Sequence, residues 1–165
     1  VFTLELQKRK NIRLKDFDYS ENGAYYITIC VKDKYELLGN VVGGGFHAAS
    51  SVYLSDVGIQ VDNTIQYANT HYHGVEIPKY IIMPNHVHLI ILLTGRRGNP
   101  PLHKVVGQIK SFTTLKWNEI CGTQMQEFWQ RGYYEHIIRD EKSYLAICEY
   151  IQNNPIKWTE DKYHV

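Results

Sequence analysis

Residues 75–93 read VEIPKYIIMPNHVHLIILL. Val75 to Met83 is rich in β-branched residues and reads as a strand, Pro84-Asn85 as a tight turn, and His86 to Leu93 as a second strand. Two strands joined this closely form a β-β unit. What flanks the unit decides the architecture. On the N-terminal side, Ser55 or Asp56 can cap a helix running to about Asn69, with Val57, Val61, Ile65 and Ala68 at helical spacing. On the C-terminal side, the loop GRRGNPP (residues 95–101) leads into a helix from Leu102 to about Ile120.

Further out, AYYITICV (Ala24 to Val31) is a strand, and Tyr133 to Arg139 is a short one. Glu36 to Val42 and Ser51 to Leu54 pair as a hairpin around Gly43-Gly44-Gly45. That glycine run lacks the Lys-Ser/Thr of a phosphate loop, so it is a turn. Asp140 caps a last helix, Glu141 to Asn153 or Asn154, which must stop before Pro155. Without the hairpin and the last helix, the order is β-α-β-β-α-β. The expected fold is therefore α+β: a ferredoxin-like antiparallel sheet with a hairpin insertion and an extra C-terminal helix.

The chain of 165 residues suits one domain, 1–165, with residues 1–20 as a basic leading arm carrying Lys8, Arg9, Lys10, Arg13 and Lys15. There is no apolar run of membrane-spanning length. The stretch VFTLELQKRK is charged where a signal peptide is apolar, which points to a cytoplasmic protein. Three widely spaced cysteines with no C-x-x-C argue against a disulfide framework and against a thiolate zinc site. A formal net charge of +1 is low for a dedicated duplex-DNA binder. Local strips remain: Arg96 and Arg97, the helix lysines Lys104, Lys110 and Lys116, and the arm.

His86 and His88 share one face of their strand, about 7 Å apart along the backbone. Val87 and Leu89 point the other way, toward the helices. The pair then lies on the open face of the sheet, where two imidazoles can converge on one cation. The plainer reading is two half-exposed surface histidines. His71-Tyr72-His73 has the same spelling but falls between a helix and a strand, with no rigid element to hold it. A metal needs a further ligand. On the last helix, Tyr144, Leu145, Cys148 and Ile151 form the core face. Tyr150 and Asn154 share a side one turn apart, offering a phenol and an amide oxygen, with Gln152 as another amide. Tyr150 can equally be a packing residue with a wet hydroxyl. Tyr134 and His136 share one face of the short strand, Tyr133 and Arg139 the other. His136 is an alternative third ligand, and Tyr133 and Tyr134 compete for any tyrosine role.

NIRLKDFDYSENGAYYITICV, YIIMPNHVHLIILL and FWQRGYYEHIIRDEKSYLAICEYIQNNPIKW together resemble the single-tyrosine HUH transposases. These are the insertion-sequence transposases and their relatives, the REP-associated tyrosine transposases. The likeness runs from about Asn11 to Trp158, and PNHVHLI with EYIQNNPIKW is its most specific part. It implies that His86 and His88 are metal ligands, that Tyr150 is the nucleophile on the helix 140–154, and that Asn154 supplies the further metal ligand, a position that is Gln in some relatives. It implies a divalent ion, Mg2+ or Mn2+, with nitrogen ligands more natural for Mn2+. It also implies cleavage and rejoining of single-stranded hairpin DNA through a 5′-phosphotyrosine, by a monomer in some relatives and a helix-exchanging homodimer in others. Two other readings stay open. One is a non-catalytic nucleic-acid-binding module using Tyr25 or Tyr26. The other is a metal phosphodiesterase that uses water. A domesticated transposase serving its host would read the same.

Overall fold

The computed structural model describes residues 22–43, 50–95 and 98–164. The expected arm and the Arg96-Arg97 strip lie outside them. The elements in chain order are β1 (Gly23–Cys30), β2 (Gly39–Val42), β3 (Ser51–Leu54), α1 (Asp56–His71), β4 (Val75–Ile82), β5 (His86–Leu93), α2 (Leu102–Cys121), β6 (Tyr134–Ile138) and α3 (Glu141–Asn153). A 3-10 turn, Trp158–Glu160, follows α3.

β4, β5, β1 and β6 form one sheet in that spatial order, with every neighbouring pair antiparallel. This is the ferredoxin-like arrangement. β2 and β3 make the separate hairpin sheet.

Helix ends are set by local chemistry. Gly58 N–H donates to Ser55 Oγ at 3.1 Å at the start of α1, and Ser143 N–H donates to Asp140 Oδ1 at 2.7 Å at the start of α3. Each cap is worth about 1 kcal/mol. Gly58 also lets α1 approach the hairpin, since a Cβ there would collide with the Leu38 carbonyl oxygen.

Two apolar layers result. The larger lies between the sheet and α1 and α2, and includes Ile27, Ile29, Val61, Ile65, Val87, Leu89, Ile91, Val105 and Ile109. The smaller lies on the other face, where Ile90, Ile138 and Ile151 are buried together with partly covered Tyr26, Ile81, Leu92, Tyr144, Ile147 and Cys148. This corrects two expectations. The face carrying His86 and His88 is not open: α3 and the segment after it lie across it, and both histidines are 0% exposed. In addition, Leu145 is 59% exposed and Ile147 takes its place in the α3 stripe. Both stripes have helical period, and the packing on the sheet selects 144, 147, 148 and 151.

Candidate active site

The site begins with strand register. β5 is an interior strand, with His86 opposite Cys30 and His88 opposite Thr28 on β1, and Ile81 of β4 opposite His88 on the other side. Both imidazoles therefore stand on a rigid, doubly paired strand. Their Nε2 atoms face each other at 3.0 Å. His86 Nδ1 is hydrogen-bonded to Asn85 Oδ1 at 2.8 Å. His88 Nδ1 lies 2.8 Å from both the Tyr26 and the Thr28 hydroxyls.

The roof is built by α3 and the chain beyond it. Tyr163 packs on His86 with ring centres 4.5 Å apart, and Trp158 lies 5.9 Å away. Tyr150 of α3 meets the His88 ring at 5.4 Å and Tyr26 at 6.4 Å. Asp161 hangs into the same space. A carboxylate oxygen of Asp161 and one ring nitrogen from each histidine all lie within 4.8 Å of one another. Asp161 Oδ2 accepts from Asn154 Nδ2 at 2.9 Å and from the Tyr150 hydroxyl at 3.4 Å, and Oδ1 accepts from Tyr163 N–H at 2.7 Å. Asn154 is 2% exposed, and its Oδ1 has no hydrogen-bond partner.

Burial governs the electrostatics. It pushes His86 down to about 4, against the pull of the nearby Asp161 carboxylate, and it pushes His88 well below the ordinary imidazole value. Both rings are thus neutral at pH 7 and have lone pairs to offer. The Tyr150 phenol is pushed up to about 12, by burial first and then by Asp161. Two imidazole nitrogens and a carboxylate make a donor set that fits a divalent cation, and Asn154, bonded to that carboxylate, has a buried amide oxygen without a hydrogen-bond partner. Beside it, a cleft of about 440 Å³ is lined by Tyr150, Asn154, Lys157, Asp161 and Lys162 among others.

The family model described as "Transposase IS200 like" matches residues 19–154. The chain belongs to that family. It is 36% identical to an uncharacterised protein of Haemophilus influenzae, over 97% of its own length and 95% of the relative. It is 30% identical to the REP-associated tyrosine transposase of Escherichia coli over 82 residues, 50% of this chain and 45% of that one. Among solved structures it is similar to a REP-associated tyrosine transposase bound to a REP hairpin, with a TM-score of 0.62 and 21% identity, covering 91% of this chain and 76% of the other. That last likeness is one of fold.

Of the residues singled out in the sequence, His86, His88 and Tyr150 come together, and Asn154 joins them through Asp161. His136 sits on edge strand β6 opposite Tyr26 and is outside the histidine–carboxylate cluster. Tyr134 lies 6.2 Å from Tyr26, at the margin of the site, while Tyr133 packs against the larger core. His71 stacks on Tyr67 at 4.0 Å, an ordinary helix-end contact. Lys110 donates to the carbonyls of Gln130 and Gly132, and Lys116 pairs with Glu119. Two residues were missed. Asp161 follows Asn154 by seven positions in a segment without periodicity, so only its carboxylate type could have drawn attention. Asn85 reads as a turn residue.

Proposed function

We propose that this protein is a transposase that cleaves and rejoins single-stranded hairpin DNA through a covalent 5′-phosphotyrosine on Tyr150. The observation that carries the reading is the convergence of the Tyr150 hydroxyl with a two-histidine, one-carboxylate donor set on one face of the sheet. His86, His88 and the partnerless Oδ1 of Asn154 hold Mn2+ or Mg2+, with Asp161 as a further oxygen donor. Such an ion supplies Lewis-acid polarisation of the phosphoryl oxygen and neutralises charge built up at phosphorus.

The chain's own groups do the rest. Lys157 and Lys162 flank the cleft through which a DNA phosphate reaches Tyr150. The phenol oxygen attacks phosphorus in line, an Oη–P bond replaces the P–O3′ bond, the phenol proton leaves and the 3′ oxygen takes one up. Asp161 Oδ2, 3.4 Å from the hydroxyl, is within reach of that proton. The tyrosyl phosphodiester keeps the energy of the broken bond, so the strand rejoins another 3′ end without ATP. Contact of the phosphate with the histidines requires the Trp158 and Tyr163 rings to swing aside, because both lie against His86 and Tyr163 also against His88, while Asp161 stays at the donor set.

The test is a denaturing gel of the protein with labelled single-stranded DNA carrying the hairpins that flank its gene, plus Mn2+ or Mg2+. A labelled band at protein mass, lost with Tyr150→Phe and with EDTA, is expected. Cleavage without an adduct would favour a water-using phosphodiesterase. Binding without cleavage would leave a nucleic-acid-binding module.

A further inference from the structure

Asn85 is 1% exposed and makes more contacts than its turn requires. Its Nδ2 donates to the carbonyl oxygens of Tyr163 at 2.8 Å and Lys34 at 3.2 Å. Two carbonyl acceptors fix which end of the amide is nitrogen. The other end, Oδ1, is therefore an acceptor, and it meets His86 Nδ1 at 2.8 Å. An acceptor there requires a proton on Nδ1. With the proton of the neutral imidazole on Nδ1, the lone pair is on Nε2, and Nε2 is the atom that faces His88.

His88 is held differently. Its Nδ1 contacts two hydroxyls, Tyr26 and Thr28, each able to donate or accept. Its Nε2 can therefore carry a proton toward His86 when no ion is present and shed it when one is, while a hydroxyl rotates to accept from Nδ1. One ring is fixed and the other adapts.

We infer that Asn85 is a positioning residue that locks His86 in the Nδ1–H tautomer, aiming the Nε2 lone pair into the candidate metal site. The backbone that presents the lock is itself unusual. Asp33 and Lys34 both have positive φ, 54° and 58°, and this turn delivers the Lys34 carbonyl to Asn85. Left-handed backbone at consecutive non-glycine residues is costly and persists where surrounding contacts hold it. The inference rests on the proposed metal role of the histidines, so its test separates the two.

The tautomer is read in the metal-free protein from long-range imidazole 15N–1H correlations, and Mn2+ affinity from the electron paramagnetic resonance of free Mn2+. The native protein should show His86 as Nδ1–H. Asn85→Ala should give a mixture of tautomers and a Kd for Mn2+ raised about 10- to 100-fold, the usual effect of removing a partner behind a metal-bound histidine. Asn85→Asp keeps the acceptor and loses both amide donors. It should be less stable yet keep the Nδ1–H tautomer, and it decides the question if the alanine variant does not fold. A His86 tautomer unchanged in Asn85→Ala, or lost in folded Asn85→Asp, overturns the inference. A locked Nδ1–H tautomer in a native protein that binds no Mn2+ supports the lock and overturns the metal reading instead.

Discussion

The helix carrying Tyr150 should open without the rest of the molecule. Ile151 is the sole buried residue of α3, and its partners Ile90 and Ile138 belong to a small layer separate from the larger core. Ile151→Ala removes that anchor. Half-covered Tyr144, Ile147 and Cys148 can close part of the gap, which places the cost in the lower half of the range for such truncations, about 2–3 kcal/mol. At 1.4 kcal/mol per decade, that is about a 30- to 150-fold rise in the opening equilibrium. Hydrogen exchange read by mass spectrometry should show α3 amides losing protection by that factor. Leu89→Ala is the control, because Leu89 is fully buried in the other layer and stays buried when α3 lifts. It should cost about 2–5 kcal/mol and lower protection in β1 and β5, while α3 amides keep theirs. If α3 and β5 respond to Leu89→Ala by the same factor, α3 opens only with global unfolding and the two-layer reasoning is wrong.

Other expectations concern the histidines. Because burial holds both below their unfolded value of about 6.5, the unfolded chain binds more protons as pH falls. Stability should therefore decline between about pH 6.5 and 4, and pH-dependent melting of His86→Gln should show a shallower decline; equal slopes would place the titrating groups elsewhere. Tyr26→Phe and Thr28→Ala should each leave Mn2+ affinity within a few-fold of native, since either hydroxyl can serve His88 Nδ1, whereas the double variant should bind clearly more weakly by calorimetry. Trp129→Phe should lower the thermal midpoint without touching the site, because the Trp129 indole donates to buried Thr113 Oγ1 at 2.8 Å. Loss of about 1–3 kcal/mol is expected from the lost indole hydrogen bond and the smaller ring, the Thr113 hydroxyl keeping its own bond to the Ile109 carbonyl.

Most of the fold was legible because the elements carry their own boundaries. Ser55 and Asp140 mark helix starts, Pro84-Asn85 marks the strand turn, and periods of 2 and 3.6 separate strands from helices. The covered second face is also written in β5. Leu89 to Leu93 is apolar at both parities, and a strand of that kind is buried on both sides. The histidine spacing alone suggested an accessible face. The continuous run implied a lid, and α3 with Trp158 and Tyr163 supplies it. Asp161 was not legible, since its position depends on how the chain turns after Asn154 rather than on any local repeat. Asn85 was hidden for a different reason. Its type fits a turn, and only the contacts of both ends of its amide distinguish a turn residue from one that orients His86.

The most direct test of the central claim is to locate the covalent bond. The protein would be reacted with hairpin DNA and Mn2+, digested with nuclease and trypsin, and sequenced by tandem mass spectrometry. The expected result is a nucleotide mass on the peptide spanning residues 143–157, with fragment ions placing it on Tyr150 rather than Tyr144. A nucleotide on Tyr133 or Tyr134, or cleaved DNA with no modified peptide, would contradict the assignment of Tyr150 as the nucleophile.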